Sequence, residues 1–208
     1  MSKENKIAII DYGMGNLNSI VKKLTRLGAE CFITFNPEEI KGAQKIILPG
    51  VGHFGKAMQK LSELGLIETL TDEARIKKKP ILGICLGMQL MAKRSDEGNC
   101  DGLGWFNAEV IKIEVQNRLK YKVPHTGWNQ IAISKPSKLM NDIPDFSEFY
   151  FVHSYHFKAM DLDDVLNESH YESKIVSAIE RDNIFGVQYH PEKSHDVGEL
   201  LLKNFIKL

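Results

Sequence analysis

Along the first hundred residues the apolar positions fall in short unbroken runs, set between stretches in which they recur at helical spacing. Residues 6–10 form one such run and end in Asp11-Tyr12-Gly13. Leu17, Ile20, Val21, Leu24 and Leu27 then mark one face of a helix over residues 16–27, stopped by Gly28. The unit repeats. Residues 31–35 read as a strand, Asn36-Pro37-Glu38-Glu39 as a capped helix start, and residues 45–48 as a third strand running into Pro49-Gly50-Val51-Gly52. Two helical patches precede residues 80–84, an apolar strand that leads into Cys85 and a helix over residues 86–93. Short apolar strands alternating with helices predict right-handed βαβ units and a parallel sheet covered on both faces.

After about Gly104 the rhythm changes, because Ile111, Ile113 and Val115 alternate with polar residues and no helix separates the strands that follow. This half reads as antiparallel, with strands at residues 110–115, 129–133, 149–152, 155–160, 175–180 and 185–189. A last helix puts Val197, Leu200, Leu201, Phe205 and Leu208 on one face, with Ser194 as its cap. No internal repeat or linker interrupts the chain. The expected fold is therefore α/β, a single domain over residues 1–208 with a mostly parallel central sheet, helices on both faces and an antiparallel extension.

Composition narrows the function. Lys plus Arg equals Asp plus Glu at 27 each, so no global field draws the chain to nucleic acid or an anionic membrane. The start MSKENKIAII lacks a signal-peptide core, and no window approaches the roughly 18 apolar residues of a membrane span. A cytoplasmic location is expected. Cys31, Cys85 and Cys100 are an odd set without a C-x-x-C pair, against a disulfide framework or zinc knuckle and in favour of a reducing compartment.

Gly83-Ile84-Cys85-Leu86-Gly87 has the form of a nucleophile elbow, with cysteine in the central place. A sharp strand-to-helix turn pushes that side chain out at the carboxyl edge of the sheet, and a following helix dipole favours the thiolate. A buried core cysteine is the bland alternative. His190, after the last predicted strand, supplies a base, and Glu192 two residues on could orient its imidazole. A developing oxyanion needs N–H donors, for which Leu86 after the nucleophile and the Pro49-Gly50-Val51-Gly52 turn are candidates. An ordinary tight turn is the alternative there. Gly13-Met14-Gly15 lacks the third glycine of a dinucleotide loop, and His153 and His156, three apart on a strand, point to opposite faces and cannot chelate together. Neither cofactor nor metal is expected.

Pro49-Gly50-Val51-Gly52-His53-Phe54, Gly83-Ile84-Cys85-Leu86-Gly87-Met88-Gln89 and His190-Pro191-Glu192-Lys193-Ser194 together resemble the class I (triad) glutamine amidotransferases. Asp11-Tyr12-Gly13-Met14-Gly15-Asn16-Leu17, Pro124-His125-Thr126-Gly127-Trp128-Asn129 and Tyr150-Phe151-Val152-His153-Ser154-Tyr155 narrow the likeness to glutaminase subunits that serve a separate (β/α)8-barrel cyclase in histidine biosynthesis. The resemblance spans the chain. It implies a flavodoxin-like fold and glutamine hydrolysis by Cys85, His190 and Glu192, with Val51, Gly52 and Leu86 around the oxyanion. It further implies Gly50, Gln89, Glu97, Ser154 and Tyr155 as substrate contacts and Asn16, Trp128, Tyr150 and Lys193 at the interface of a heterodimer. Related subunits feed sugar amidotransfer in surface-polysaccharide pathways. A reactive-cysteine hydrolase or redox sensor on the same fold is the reading from another class.

Overall fold

The computed structural model describes residues 6–208; of the predicted start sequence, residues 1–5 lie outside it. The chain begins β1 (Lys6–Ile10), α1 (Leu17–Arg26), β2 (Glu30–Thr34), α2 (Pro37–Gly42) and β3 (Lys45–Gly50). The side chain of Asn36 accepts from the N–H of Glu38 and so caps α2 as its sequence predicts. Next come α3 (Phe54–Glu63), α4 (Leu66–Thr71) with one wider turn over Asp72–Ile76, β4 (Ile81–Cys85) and α5 (Leu86–Gln89). Short strands β5 (Arg94–Ser95) and β6 (Cys100–Asp101) lead to β7 (Ala108–Lys112), β8 (His125–Gln130) and β9 (Ala132–Ile133). Strands β10 (Glu148–His153), β11 (Tyr155–Ala159), β12 (Val165–Tyr171), β13 (Ser173–Arg181) and β14 (Ile184–Val187) precede the closing helix α6 (His195–Lys207).

Five strands in the order β2-β1-β3-β4-β14 are parallel, the doubly wound order that leaves a crevice at the carboxyl ends of the strands. Residues of β1 show why both faces are covered. Ala8 and Ile10 pack with Ile40, Leu61 and Leu70 from α2, α3 and α4, whereas Ile7 and Ile9 pack with Ile20, Leu24, Leu201 and Phe205 from α1 and α6. The sheet then continues antiparallel through β13, β11 and β7, while β8 and β10 pair antiparallel as a separate ribbon. No helix among the described residues is long and apolar enough to cross a membrane.

Several boundaries differ from the sequence reading. The helix after Cys85 stops at Gln89 rather than near Lys93. Leu90, Met91 and Ala92 are all buried, and their carbonyls accept from the N–H groups of Leu103, Met91's twice from Trp105 and Phe106, and Ala92's from Gly104, so returning chain takes the place of further helical turns. Strand β12 was not predicted. It buries Asn167 and Ser169 beside Val165 and Leu166, and such polar positions are silent in an apolar pattern. Ser194 precedes α6 but makes no side-chain cap bond; its hydroxyl serves the site instead.

Candidate active site

Cys85 ends β4 with φ 54° and ψ −111°, a positive-φ conformation that a residue with a Cβ adopts only when its surroundings force it. The crowding is visible two residues on. A Cβ at Gly87 would lie 1.7 Å from the carbonyl oxygen of Leu48, so only glycine lets α5 start this close to β3. The thiol is turned into the protein, with Val152 O at 3.9 Å and Nε2 of Gln188 at 3.6 Å from Sγ. Because α5 has four residues, its dipole is smaller than the predicted longer helix would supply.

His190 lies three residues beyond β14, which ends at Val187 rather than at the expected Tyr189. The histidine is nonetheless held from all sides. Its N–H donates to Tyr150 O at 2.9 Å, and its carbonyl accepts from the Ser194 hydroxyl at 2.6 Å, whose oxygen in turn accepts from the Tyr150 N–H at 3.0 Å. Nδ1 meets Oε1 of Glu192 at 2.8 Å, with both side chains buried. Nε2 is buried without a well-formed hydrogen bond, as is Oε2 of Glu192. Burial pushes the imidazole down, but the Cys85 sulfur and the Glu192 carboxylate outweigh it and push the pKa up to about 10. The arrangement thus holds a proton on an imidazole beside a thiol, poised for a leaving group.

The proposed oxyanion segment sits alongside. Gly50 pairs with Cys85 across β3 and β4, so Val51 and Gly52 follow directly past the nucleophile, and Leu86 opens α5 immediately after it. Tyr12, buried at the end of β1, donates from its hydroxyl to Pro49 O at 2.7 Å. Burial first, and then the charge of Cys85, raise its pKa well above the usual phenol value, so it remains a donor. Gly52 has φ 111°, and a Cβ there would come 2.8 Å from Cε of Met14.

Of the substrate candidates, Gln89 is buried and already engaged. Its Nε2 donates to Tyr155 O and to Oε1 of Gln188, both at 2.9 Å, which leaves its Oε1 as an acceptor for an ammonium or amide group. Oε2 of Glu97 accepts from the N–H of Phe54 at 2.7 Å and so holds the start of α3. Ser154, between β10 and β11, and Tyr155, the first residue of β11, are half-buried, with Ser154 on the wall of a cleft of about 1260 Å³ shared with Lys112, Glu114, Arg118 and Tyr121. Cys85, Gln89, His190 and Glu192 do not line that cleft.

The structure brings three of the four interface candidates together. Trp128 on β8 lies opposite Tyr150 on β10, their rings 5.9 Å apart, and Lys193 Nζ sits 5.6 Å from the Tyr150 ring. His195, not singled out from sequence, completes this patch by stacking on Trp128 at 4.8 Å. Asn16 is exposed on the separate turn that opens α1. His153, considered above for a metal together with His156, is held by other hydrogen bonds. Nε2 of His153 accepts from Nδ1 of His125 at 3.0 Å while its Nδ1 donates to Tyr155 O at 2.8 Å. These two tautomers follow from the carbonyl, which can only accept. Burial lowers the pKa of His125 to about 4 and of His153 to about 3.

Tyr12, Gln188 and Ser194 are the contacts that sequence reasoning missed. Gln188 carried a signal, since one carboxamide within the apolar run Ile184–Tyr189 must find partners when buried.

A cysteine on an elbow beside a buried histidine–carboxylate pair, at the carboxyl edge of a doubly wound sheet, defines the class of enzymes that cleave acyl bonds through a thiol. The family model described as glutamine amidotransferase class-I matches residues 8–208, and the chain belongs to that family. It is 48% identical over 201 residues, 97% of this chain and 98% of the relative, to the imidazole glycerol phosphate synthase subunit HisH 2 of Methanococcus maripaludis. To the subunit HisH 1 of Campylobacter jejuni it is 48% identical, over 97% of this chain and 100% of the relative. A glutamine amidotransferase structure from Thermotoga maritima shares the fold, with a TM-score of 0.68 at 15% identity over 97% of this chain and 96% of that one.

Proposed function

We propose that this chain is the glutaminase subunit of an imidazole glycerol phosphate synthase. It hydrolyses glutamine and passes the ammonia to a (β/α)8-barrel cyclase, which makes imidazole glycerol phosphate and AICAR from the phosphoribulosyl formimino intermediate PRFAR. The observation that carries the chemistry is the 2.8 Å bond from Nδ1 of His190 to Glu192, which leaves the other ring nitrogen of His190 buried and open to a reacting group, with the imidazole coupled to the Cys85 sulfur. The near full-length similarity to synthase subunits supports the pathway.

In this reading the Cys85 thiolate attacks the side-chain amide carbon of glutamine, and the carbonyl oxygen takes up charge beside Leu86 and the Val51–Gly52 peptide. The C–N bond breaks as His190 gives its Nε2 proton to the departing nitrogen. Water then adds to the thioester while His190 takes its proton, and the C–S bond breaks to return glutamate and the thiolate. Glu192 keeps the imidazole oriented throughout. Oε1 of Gln89, the carboxylate of Glu97 and the Gly50, Ser154 and Tyr155 backbone hold the amino-acid head group.

The patch of Trp128, Tyr150 and Lys193 receives the barrel, and Asn16, on the turn before α1, adds a separate contact. Tyr150 O binds the N–H of His190, so docking bears on the backbone that carries the base. Steady-state glutamate release tests the reading. The chain alone should be slow, and the barrel with its substrate should raise the rate by a factor of about a hundred to a thousand, the worth of one oxyanion donor. Full activity of the chain alone would remove the partner from the mechanism. Stimulation only by an ammonia acceptor from a sugar pathway would move the chain to that role.

A further inference from the structure

Gln188 is fully buried one residue beyond β14, and its N–H still bonds Ser177 O at 2.8 Å, so it keeps the register of the sheet. Its carboxamide lies between the nucleophile and Gln89. Nε2 is 3.6 Å from Sγ of Cys85 and Oε1 is 2.9 Å from Nε2 of Gln89, which also reaches Tyr155 O. The direction of every bond in this chain follows from one end. A backbone carbonyl can only accept, so Gln89 must turn its NH2 toward Tyr155 O and Gln188. Gln188 must then offer its oxygen to Gln89, which leaves its NH2 at the sulfur. Reversing Gln188 would set two NH2 groups face to face and an oxygen against the sulfur in a buried place, forfeiting both bonds.

We infer that Gln188 is a positioning residue for the nucleophile, an N–H donor locked in direction by Gln89 and Tyr155 O that favours the Cys85 thiolate over the thiol. The inference rests on the reading of Cys85 as nucleophile and adds to it the group that holds its sulfur. A thiolate only accepts hydrogen bonds, whereas a thiol also donates. The two contacts to Sγ therefore work in opposite senses: Val152 O suits the thiol, and Gln188 suits the thiolate. The four-residue α5 offers little dipole to the sulfur, and the carboxamide supplies a donor at that point. It serves twice, when the sulfur attacks and when the C–S bond breaks and its electron pair returns to the sulfur. His190, in the turn after β14, and Tyr12, two residues past β1, are titratable groups coupled to this thiol.

Gln188→Met keeps the length of the side chain and removes the donor. In the full chain, alkylation of Cys85 by iodoacetamide, followed by peptide mass mapping across a pH series, should slow about tenfold at neutral pH and shift its profile to higher pH, the usual loss for one hydrogen bond to a charged group. With the barrel present, kcat should fall about tenfold while KM stays within about twofold. Gln89→Met leaves the donor but frees its direction, and should move both readouts the same way by less. A folded Gln188→Met protein with the parent alkylation profile and kcat would overturn the inference. Should that variant not fold, a parent profile in Gln89→Met would do so. Cys85→Ala separates the two ideas: if it is inactive while Gln188→Met is unchanged, only the positioning role fails, and if it retains activity, the nucleophile reading fails with it.

Discussion

The parallel and antiparallel halves of the molecule hold their parts of the site by different physics. In the parallel half the core is aliphatic on both faces of the sheet, and Cys85 is placed by exclusion, since the contact of Gly87 with Leu48 O leaves the chain no other path. The second half of the chain, antiparallel up to β13 and returning to the parallel set with β14, buries His125, His153, Asn167, Ser169, Ser177, Gln188, His190, Glu192 and Ser194. Each is fixed by directional bonds such as Ser177 to Ser169 at 2.7 Å or Asn167 to Tyr189 at 3.1 Å. Steric placement tolerates no added volume but needs no particular chemistry. Hydrogen-bonded placement tolerates shape changes but fails when a donor, an acceptor or a charge state changes.

Five experiments press on that contrast. The largest effect is expected from Cys85→Ala, which should cut partner-stimulated glutaminase activity by about a thousandfold or more while leaving the unfolding midpoint near the parent value. Activity above about a hundredth of the parent would separate the elbow from the chemistry. Gly87→Ala should instead act on the fold, lowering stability in urea by about 3 kcal/mol or more, because backbone on both sides must move. A loss under about 0.5 kcal/mol would mean that exclusion does not set the elbow.

On the hydrogen-bonded side, His190→Asn should lower kcat about a hundredfold, and Glu192→Gln less. The same half should govern how stability varies with pH. His125 and His153 are held below their ordinary value, so the unfolded chain binds more protons as pH falls below 6.5, and stability drops toward pH 4 and below. Between pH 7 and 5 the loss should be about 2 kcal/mol or more. His190 is shifted the other way, so its contribution is complete below pH 6.5 and is lost as pH rises through about 10. Urea unfolding of the parent and His190→Asn across this range checks both limbs, and an unchanged alkaline limb in the variant would contradict the coupling to Cys85 and Glu192. Trp128→Ala should have the smallest effect on the isolated chain, within about 0.5 kcal/mol in stability, yet weaken association with the barrel about tenfold or more. Unaltered association would move the interface elsewhere.

How much was legible follows the same division. The parallel half could be read nearly to the residue, because unbroken runs such as Ile7 to Ile10, helical spacing such as Leu17 to Leu27 and the Asn36-Pro37 cap are local signals that the tertiary structure only had to accept. The glycines around Cys85 made the elbow legible too, since a strained turn leaves its mark on its neighbours. The antiparallel half was read less well. Strand β12 and the break after Val187 depend on polar side chains that become strand-like or buried only when partners from distant chain segments arrive.

Sequence by itself marked the alternating strands and helices of the first hundred residues, the turn around Cys85, and His190 and Glu192 as candidate partners of that cysteine. Tertiary structure alone decided that α5 would stop after one turn, that Ser194 would tie the histidine turn to β10 rather than cap α6, and that Gln188 would face the sulfur. The reason is the range of the forces. Backbone strain and helix periodicity act between neighbours and are written in neighbouring residues, whereas a hydrogen bond from Gln188 to Cys85 joins groups 103 positions apart and exists only once β14 has paired with β4.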